Sequence, residues 1–321
     1  MNIVKAGSQG ILLPDLNLEF DCSGTPEGHT FISHAHADHM PRSKESHVYC
    51  TEPTYKLMRK RGFEGTADVL AYGAPLETDR ARITLYPAGH ILGSAMAFVE
   101  SDNGSVLYTG DYRTPPSPAS EGFELPSRNI DHFITEATFA LPIYRWAPHS
   151  SLADDVRTFA SSSLEEGYTP VFLAYDLGKA QEVMYMLAPL NRTVQISDDC
   201  FQFCSVYEDA GFELGRYEPY DQTNFSEKIL IATHRTLRHK LSPHIRAQRI
   251  AYCSGWAAGS RGRGRGSINR RIPLSDHLDF FELINLCREL HPKMVHITHT
   301  PNADVVRHYL DELNIDSRLL E

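Results

Sequence analysis

The sequence predicts an α/β (α+β) protein in which a smaller α/β region interrupts a larger one. The first part of the chain reads as short strands of β-branched and aromatic residues with turn signals between them. Near Leu141 the pattern changes to helices that alternate with strands, and a helix–strand–helix segment closes the chain. The 321 residues are enough for one large domain or for two domains of ordinary size.

The first part of the chain contains several predicted strands and one predicted helix. TEPTYKLMRKRG predicts the helix, because it has a Thr that can cap it, a Glu beside that Thr and a closing Gly. The predicted strands are LNLEFD, HTFISH, HVYC, ARITLYPAG, SAMAFVES, SVLYTGD and HFITEAT.

The region after Leu141 predicts an α/β unit of its own. SLADDVRTFASSSLEEG and LGKAQEVMYMLAPL predict helices, while TPVFLAYD, TVQIS, KILIATH and RIAYCSGW predict strands of a parallel sheet. The chain closes with helix SDHLDFFELINLCREL, strand MVHITHT and helix NADVVRHYLDELN. We therefore predict a first domain at 1–143 that is completed by 272–321, with a domain at 144–271 inserted between the two parts.

The composition is typical of a soluble globular protein, with 41% hydrophobic and 22% charged residues. No apolar run is long enough to cross a bilayer, and the start MNIVKAGSQG lacks the charged and apolar regions of a signal peptide. The 6 cysteines are scattered without a CxxC pair, which argues against a zinc ribbon or a redox pair. We expect a cytoplasmic protein that has buried free thiols and no membrane partner.

The formal net charge of −10 disfavours a uniformly basic surface for nucleic acid, because phosphates are held by Lys and Arg. A nucleic-acid enzyme with this charge has to concentrate its positive charge locally. GSRGRGRGS offers such a concentration at Arg261, Arg263 and Arg265, with Arg270 and Arg271 shortly after. The same composition is equally typical of a solvated loop, so these arginines are candidate substrate-binding residues with an open alternative.

Four potential metal ligands stand within six residues of FISHAHADHM, at His34, His36, Asp38 and His39. They directly follow a predicted strand, and alternate residues of a loop that leaves a strand can converge on one point. Two histidines can then bind one ion, while Asp38 and His39 bind a second ion beside it. Imidazole nitrogen and carboxylate oxygen both suit Zn²⁺. The motif therefore predicts a two-metal site rather than a surface loop with chance histidines.

Further polar residues occupy similar strand-end positions along the chain. His90 ends ITLYPAGH and Asp111 ends VLYTGD, and together they can supply a third ligand to the first ion and a bridging carboxylate. His299 in VHITHT can complete the ligands of the second ion. The competing residue His296 lies inside that strand and is typical of a packed core histidine.

The order of these motifs resembles that of the metallo-β-lactamase-fold hydrolases. HAHADH, PAGHILGSA and YTGDYR look like their successive signature motifs. FITEATF, LGKAQE, PLSDH and VHITHT resemble the acidic motif, the cap helix and the two late histidine motifs of the β-CASP branch, which cuts nucleic acids. The short chain and the stretches LPIYRWAP, SGW and PLSDHLDF look most like the bacterial DNA-ligase-associated exonucleases.

The resemblance implies a four-layer αββα metallo-β-lactamase sandwich with an inserted β-CASP α/β cap domain. It also implies an assignment of the metal ligands. The first metal would be held by His34, His36 and His90. The second metal would be held by Asp38, His39 and His299. Asp111 would bridge the two metals, and Asp21 at the end of LEFD would support the ligands without binding a metal.

The resemblance further implies the catalytic residues, which are His277, Glu136, Asp38 and Asp111. Two divalent transition-metal ions, zinc in preference to manganese, would lower the pKa of a shared water to about 7 and neutralise the phosphate. His277 would donate a proton to the leaving oxygen, while Glu136 would orient that imidazole and raise its basicity.

The motifs predict a two-metal hydrolase. The resemblance implies that it is a phosphodiesterase, namely a DNA-repair exonuclease that acts from a 5′ end through a metal-bridging hydroxide. The alternative is an RNA-processing nuclease of the same branch, because the metal site is common to both. A small-molecule metallo-hydrolase ranks behind both, since such enzymes lack the inserted cap and the PLSDH motif. The partners implied by the resemblance are DNA in preference to RNA, an ATP-dependent DNA ligase and a repair helicase.

Overall fold

The computed structural model describes residues 1–24, 27–43, 45–224, 227–238, 245, 247–259, 268–300 and 302–321. The chain divides into two compact units. Unit 1 comprises Met1–Pro116, Ser120–Arg145 and His277–Glu321. Unit 2 comprises Ser117–Ala119 and Trp146–Asp276. The sequence predicts the insert at 144–271, whereas the main segment of unit 2 begins at Trp146 and ends at Asp276.

The first sheet of unit 1 is formed by the beginning of the chain. Its strands are β1 (Val4–Ala6), β2 (Gly10–Leu13), β3 (Leu18–Phe20), β4 (His29–Phe31), β5 (His47–Cys50) and β6 (Thr66–Val69). They pair in sequence order, antiparallel from β1 to β3 and parallel from β3 to β6. The segments that begin at Asp21 and at Ile32 therefore start side by side at one edge of this sheet.

The second sheet of unit 1 joins the middle of the first part to the end of the chain. Its strands are β7 (Pro75–Glu77), β8 (Arg82–Pro87), β9 (Ala95–Ser101), β10 (Gly104–Tyr108), β11 (His132–Glu136), β18 (Met294–Thr298) and β19 (Ser317–Leu319). The spatial order is β19-β18-β11-β10-β9-β8-β7. Pairing is antiparallel from β7 to β10 and parallel from β10 to β19. The carboxyl ends of β10, β11 and β18 consequently meet at one edge.

The apolar faces of these two sheets share one core. Phe20 and Phe31 from the first sheet and Ile83, Val99 and Ile134 from the second sheet are all at most 2% exposed and belong to this core. Burial of each such side chain contributes roughly 1.5–3 kcal/mol relative to exposure. The core therefore fixes the strand-end edge of one sheet against that of the other.

Helices cover the outer sides of the two sheets in unit 1. They are α1 (Glu52–Lys60), α6 (Phe280–Leu290) and α7 (Ala303–Glu312). α1 packs beside β6, and the Thr51 hydroxyl that caps it accepts a hydrogen bond from the backbone N–H of Thr54. α6 and α7 bury Phe280 and Val306 in a second core that includes Phe133 of β11. The predicted four-layer αββα arrangement is confirmed.

Unit 2 is an α/β unit with a parallel sheet, as its sequence predicts. Its strands are β12 (Thr169–Leu173), β13 (Val194–Ile196), β14 (Tyr217–Pro219), β15 (Ile229–Ala232), β16 (Gln248–Cys253) and β17 (Arg270–Ile272), in the spatial order β14-β13-β15-β12-β16-β17. Its helices are α2 (His149–Glu165), α3 (Lys179–Leu187), α4 (Asp198–Asp209) and α5 (His234–Thr236). Val171, Leu230 and Ile250, which lie on three neighbouring strands of this sheet, belong to one apolar core.

α4 is the largest element that the sequence did not predict. Its segment DDCFQFCSVYED has a short apolar face, on which Cys200 and Cys204 are four residues apart and buried. All six cysteines are buried and free, as expected. Among the helices in the described part of the chain, none is both long and apolar enough to cross a membrane.

Candidate metal centre

Most of the predicted metal motifs lie at the ends of parallel strands, while His90 lies in the loop between the antiparallel strands β8 and β9. The histidine motif that begins at His34 is in the loop after β4, and Asp111 is in the loop after β10. Glu136 is the last residue of β11, and His299 directly follows β18. Because carboxyl ends of parallel strands meet at one edge, side chains that are far apart in sequence come together here.

A glycine permits two of these loops to approach each other closely. Gly110 has a φ of +57°, in the left-handed region that glycine tolerates best. A Cβ at this position would lie 2.5 Å from the Cβ of Ser33. Any side chain at Gly110 would thus push the loop after β10 away from the histidine loop. The glycine therefore allows Asp111, the next residue, to reach the histidines.

Three histidine rings surround one point in this loop region. The ring centroids of His34 and His36 are 4.7 Å apart, those of His34 and His90 are 4.6 Å apart, and those of His36 and His90 are 4.9 Å apart. Nδ1 of His36 lies 3.2 Å from Nε2 of His90. Two nitrogens that each bind a tetrahedral Zn²⁺ at 2.0–2.1 Å lie about 3.3 Å apart. The spacing therefore fits two ligands of one ion.

The carboxylate of Asp111 lies among these rings. Its Oδ2 is 3.6 Å from Nε2 of His34 and 3.8 Å from Nε2 of His90. The same oxygen is 3.5 Å from Nε2 of His39, which is predicted to bind the other ion. One carboxylate oxygen near ligands of both predicted ions is the arrangement expected of a bridging ligand.

A buried carboxylate beneath the cluster orients His39. Asp21 is 0% exposed and accepts hydrogen bonds from the Ser33 backbone N–H at 2.7 Å and the Ser33 hydroxyl at 2.6 Å. It also accepts a hydrogen bond from the Tyr108 hydroxyl at 2.8 Å, and Nδ1 of His39 lies 2.8 Å from its Oδ2. A carboxylate on Nδ1 leaves Nε2 of the ring to face a metal. This geometry suits the supporting role that the resemblance implies for Asp21.

The sequence did not predict that hydroxyl groups contribute to this network. The Ser33 hydroxyl lies 2.9 Å from Nδ1 of His34, so it orients the first histidine as well as contacting Asp21. Tyr108 belongs to a predicted strand, where a tyrosine is an ordinary core residue. The only available signal is position, since Ser33 and Tyr108 both stand within three residues of a predicted ligand.

Two ring nitrogens of the cluster point to a bound ion. Nε2 of His34 and Nε2 of His39 are buried and have no hydrogen-bond partner among the described residues. Leaving a buried polar atom without a partner costs about 1–3 kcal/mol, and an unmet ligand is a common reason for such an atom. Ligand atoms of His34, His36, His90 and Asp111 all lie within 4.8 Å of one another. This set of imidazoles and a carboxylate fits a divalent transition-metal ion.

The charges around His39 favour a cation as well. Burial, together with the neighbouring His39 ring, holds the pKa of His34 well below its usual range, so the His34 ring is neutral. Burial opposes protonation of His39, but the carboxylates of Asp111 and Asp21 outweigh it and raise the pKa of His39 to about 9. Burial also raises the pKa of Asp111 to about 6. Positive charge is therefore stabilised at this point, and a bound divalent ion would supply it.

Asp38 and His299, predicted to bind the second metal with His39, lie at the rim of the cluster. Oδ2 of Asp38 is 4.0 Å from Nε2 of His39, and it accepts a 2.7 Å hydrogen bond from Nε2 of Gln9. The ring centroids of His299 and His39 are 6.2 Å apart, and Nε2 of His299 lies 3.0 Å from the Ser8 carbonyl oxygen. Neither residue belongs to a compact group of ligand atoms in the described part of the chain.

Glu136 and His277 form a pair beside Asp111. Nδ1 of His277 donates a hydrogen bond to Oε1 of Glu136 at 2.6 Å, and Asp111, Glu136 and His277 offer atoms within 4.8 Å of one another. Burial alone would raise the pKa of Glu136, but His277 and the hydrogen bonds from Thr138 lower it to about 2. An ionised carboxylate on Nδ1 fixes the orientation of the imidazole and raises its basicity.

The late segments place His277 just before a helix and His296 inside a strand. His277 precedes α6, which begins at Phe280 with Asp279 as its cap, although the sequence predicted a helix from Ser275. His296 lies inside β18 at 2% exposure, with Nε2 3.1 Å from Nδ1 of His132 and Nδ1 accepting a 3.0 Å hydrogen bond from Nε of Arg318. His296 is thus packed in the core.

The structure describes only the end of the arginine-rich segment, from residue 268 onward. Arg261, Arg263 and Arg265 lie outside the described residues, so their predicted contact with substrate stays a prediction. Arg270 donates a 2.7 Å hydrogen bond to Oδ1 of Asp155, an ion pair that neutralises part of the expected basic charge.

Several known proteins are similar in sequence to this chain. It is 30% identical to a protein of Opitutus terrae named a probable DNA ligase, over 295 residues that make up 91% of this chain and 28% of that protein. It is 27% identical to an RNase J-like protein of Methanocaldococcus jannaschii, over 52% of this chain and 45% of that protein. It is 31% identical to the endoribonuclease YSH1 of Candida albicans, over 37% of this chain and 14% of that protein. No family model matches the chain.

The fold also resembles that of a solved structure. A protein of unknown function from Enterococcus faecalis V583 matches with a TM-score of 0.62 over 91% of this chain and 79% of that chain. The two sequences are 14% identical, so this likeness concerns the fold alone. The chain spans less than half the length of each of the three sequence relatives.

Proposed function

We propose that this chain, a relative of the metallo-β-lactamase nucleases of the β-CASP branch, is a two-metal phosphodiesterase that hydrolyses DNA from a 5′ end. The observation that supports the proposal most strongly is the position of the Asp111 carboxylate. Its Oδ2 lies 3.5–3.8 Å from Nε2 of His34, His39 and His90, which come from two different loops. Two-metal hydrolases hold their ions about 3.5–4 Å apart, a separation that one shared carboxylate can span.

We assign each predicted ligand to one of two divalent ions. The first ion is assigned to His34, His36 and His90. The second ion is assigned to Asp38, His39 and His299, with Asp111 between the two. When bound, the ions would supply a water with a pKa near 7 and neutralise charge on the phosphate. Zinc suits the imidazole-rich set, and manganese suits the carboxylates, so either metal is compatible with these donors.

The Glu136–His277 pair provides the proton that the leaving oxygen needs. Glu136 is ionised and holds Nδ1 of His277 at 2.6 Å, which orients the imidazole and stabilises its protonated form. A protonated imidazole beside the scissile bond transfers its proton to the departing oxygen as the phosphorus–oxygen bond breaks. The pair thereby prevents the release of a strongly basic alkoxide.

DNA is the favoured substrate because of the extent of the sequence matches. The relative named a probable DNA ligase is matched over 91% of this chain, whereas the RNase J-like protein and the endoribonuclease are matched over 52% and 37%. The second candidate is an RNA-processing nuclease, and the names of the latter two relatives support it.

We also propose an ATP-dependent DNA ligase as a functional partner. The matched segment makes up 28% of the Opitutus terrae protein, so a polypeptide named as a ligase contains a segment similar to this chain. Strand trimming that leaves a 5′-phosphate produces the end that a ligase requires. A repair helicase as a second partner, and a cytoplasmic location, remain proposals that rest on the family resemblance.

Digestion of labelled strands tests the proposal directly. Matched single strands of DNA and RNA, labelled at the 5′ or the 3′ end, are incubated with protein loaded with Zn²⁺ or Mn²⁺. We expect 5′-labelled DNA to release labelled mononucleotides first, while 3′-labelled DNA shortens gradually. Preferential loss of RNA would support the second candidate. If neither strand is degraded by protein that carries two metal equivalents, the chain is not a nuclease.

A further inference from the structure

An exposed surface patch near the Glu136–His277 pair carries groups that the metal chemistry does not use. It is centred on the contact of Arg145 with Phe281, and Ile143 stands two residues before Arg145 in the chain. We call these three residues the arginine–aromatic patch. We propose that this patch binds single-stranded nucleic acid next to the scissile phosphate, with a base stacked on Phe281 and a phosphate held by Arg145. The proposal rests on the proposed function for its substrate class, but it concerns binding rather than bond cleavage.

A series of ring contacts within unit 1 connects the patch to His277. The ring of Phe139 is centred 5.9 Å from that of His277 and 4.9 Å from that of Tyr144. Arg145 follows Tyr144 in the chain, and its guanidinium carbon lies 5.6 Å from the centroid of Phe281. Phe281 is the second residue of α6 and stands four positions after His277. A strand that is cut beside His277 can therefore reach the patch within its next nucleotides.

The support of the patch is rigid, although its surface is exposed. Phe139 and Tyr144 are 3% and 6% exposed, so the segment that carries Arg145 is anchored by two buried rings. The backbone N–H of Tyr144 also donates a 2.9 Å hydrogen bond to the Leu141 carbonyl, which closes a turn. Little conformational entropy remains to be lost when a ligand binds to such a surface.

The charge of Arg145 is available to a ligand. Several exposed arginines are paired with carboxylates, as Arg270 is with Asp155 and Arg307 is with Asp304. Arg145 instead contacts the ring of Phe281 and forms no ion pair within the described part of the chain. In a chain with a net charge of −10, an exposed arginine without a carboxylate partner provides local attraction for phosphate.

The apolar members of the patch favour nucleobases. Ile143 is 71% exposed and stands two residues before Arg145 in the chain. Phe281 is 41% exposed, and its ring lies against the guanidinium of Arg145. A single exposed apolar residue needs no explanation, but an aromatic face beside an exposed arginine is the combination that binds single strands without sequence preference. Every base has a face that can stack, and every nucleotide has a phosphate.

Equilibrium binding separates the contributions of the two side chains. The dissociation constant of a fluorescent phosphorothioate DNA strand, which resists hydrolysis, is measured by anisotropy with metal-loaded protein over a range of salt concentrations. Arg145→Ala should weaken binding and reduce the slope of log K against log salt by about 0.7, the share of one phosphate on a single strand. Phe281→Leu should weaken binding about 5-fold or more with an unchanged slope, because the stacking face is lost.

Two control variants complete the experiment. Phe281→Tyr keeps an aromatic face and should bind as the wild type does. Arg307→Ala removes an exposed arginine of α7 that lies 3.7 Å from Asp304, and it should change neither the affinity nor the slope. Thermal melting of every variant checks the fold, and Phe281 is exposed enough that a leucine there should be tolerated.

The outcomes distinguish this proposal from the proposed function. If strands are cleaved but Arg145→Ala and Phe281→Leu bind with wild-type affinity and slope, the patch proposal is wrong, and the surface serves another partner such as a protein. If binding depends on the patch but no strand is cleaved, the nuclease proposal is wrong and the patch proposal stands. A wild-type protein that does not bind single strands contradicts the patch proposal directly.

Discussion

The two halves of the predicted metal site are held by the fold in different ways. Three ligands of the first half, His34, His36 and His90, have ring centroids within 4.9 Å of one another. In the second half, Asp38 is 63% exposed and His299 lies 6.2 Å from His39, measured between ring centroids. The first half is thus assembled and largely buried, whereas in the second half only His39 is buried in the cluster and Asp38 and His299 lie at its rim.

The difference follows from what surrounds each half. The first half follows the ends of core strands, and the Ser33 hydroxyl, which donates a hydrogen bond to Asp21, also contacts Nδ1 of His34 and orients that ring from below. In the second half, Asp38 and His299 are hydrogen-bonded to Gln9 and Ser8 in the loop between β1 and β2. Preorganised ligands bind more tightly, because less conformational freedom is lost on binding. We therefore expect the first ion to bind before the second.

The largest effect should come from Asp111→Ala, because this residue belongs to both halves. Its loss should weaken the binding of both ions, reduce the metal content from about two equivalents to below one, and abolish cleavage. Elemental analysis of protein purified without added metal, together with strand digestion, measures both effects. Asp304→Ala, at a 99% exposed aspartate of α7, is the matched control and should keep the metals and the activity. Wild-type cleavage by Asp111→Ala would remove the bridging role.

The next effect separates the proton donor from the ligands. His277→Ala should keep its metals but lose activity by roughly 10²–10⁴-fold, the usual contribution of a positioned general acid. The defect should shrink on a nitrophenyl phosphodiester, whose leaving group needs no proton. Glu136→Gln should resemble a milder form of the same variant, because the imidazole remains but loses its ionised partner.

His299→Ala is the contrast to His277→Ala. It should lose the second metal equivalent, and an activated leaving group should not restore its activity. Metal analysis of the two variants side by side therefore shows which of the two histidines binds a metal and which does not. The roles are exchanged if His277→Ala loses a metal equivalent while His299→Ala keeps both.

A smaller effect tests the loop that holds the second half. Nε2 of Gln9 donates to Asp38, so Gln9→Ala should lower the affinity of the second ion by about 10-fold, the lower range for losing a residue that orients a ligand. The first ion should bind as before. Competition with a chelator measures the two affinities. Gln202→Ala on α4 is the control, because the Gln202 amide donates a hydrogen bond to the Asp199 carbonyl on its own helix, which carries none of the predicted metal ligands. Equal losses at both ions would show that the two halves are not independent.

The smallest effect concerns a histidine outside both halves. Burial, with Arg318 and His132 nearby, lowers the pKa of His296 to about 3. Below its usual pKa of about 6.5 the unfolded chain takes up a proton that the folded chain refuses, so stability falls as the pH decreases from 6.5 towards 3. Between pH 7 and 5.5 the free energy of unfolding should therefore fall by about 1 kcal/mol less in His296→Gln than in the wild type.

Urea unfolding at the two pH values measures this difference. Glutamine retains an acceptor for Arg318, so the fold should tolerate the change. His308→Gln on α7, where the side chain is 70% exposed, should leave the pH dependence unchanged. If His296→Gln loses as much stability on acidification as the wild type, His296 is not the source of the acid sensitivity. Other groups, such as the histidines of the metal site, would then account for it.

Long and strongly patterned segments were predicted well. The capped helix α1, the strands that precede His90 and Asp111, the parallel sheet of unit 2 and the likeness to β-CASP nucleases were all predicted from the sequence and are confirmed. The helix α4 was missed because its apolar face is short. Strands such as β6 and β17 were missed because their residues are mostly exposed, so no alternation marks them.

The sequence by itself determined which side chains are the candidates for the chemistry, because ligand types and their spacing after strands are local properties. Only the tertiary structure decided how these side chains meet. Oδ2 of Asp111 comes within 4 Å of three histidines because two sheets share a core and Gly110 permits the close approach. Likewise, the contacts of Gln9 with Asp38 and of Phe139 with His277 join residues that lie 29 and 138 positions apart. Such pairings depend on sheet register and packing, which no local pattern encodes.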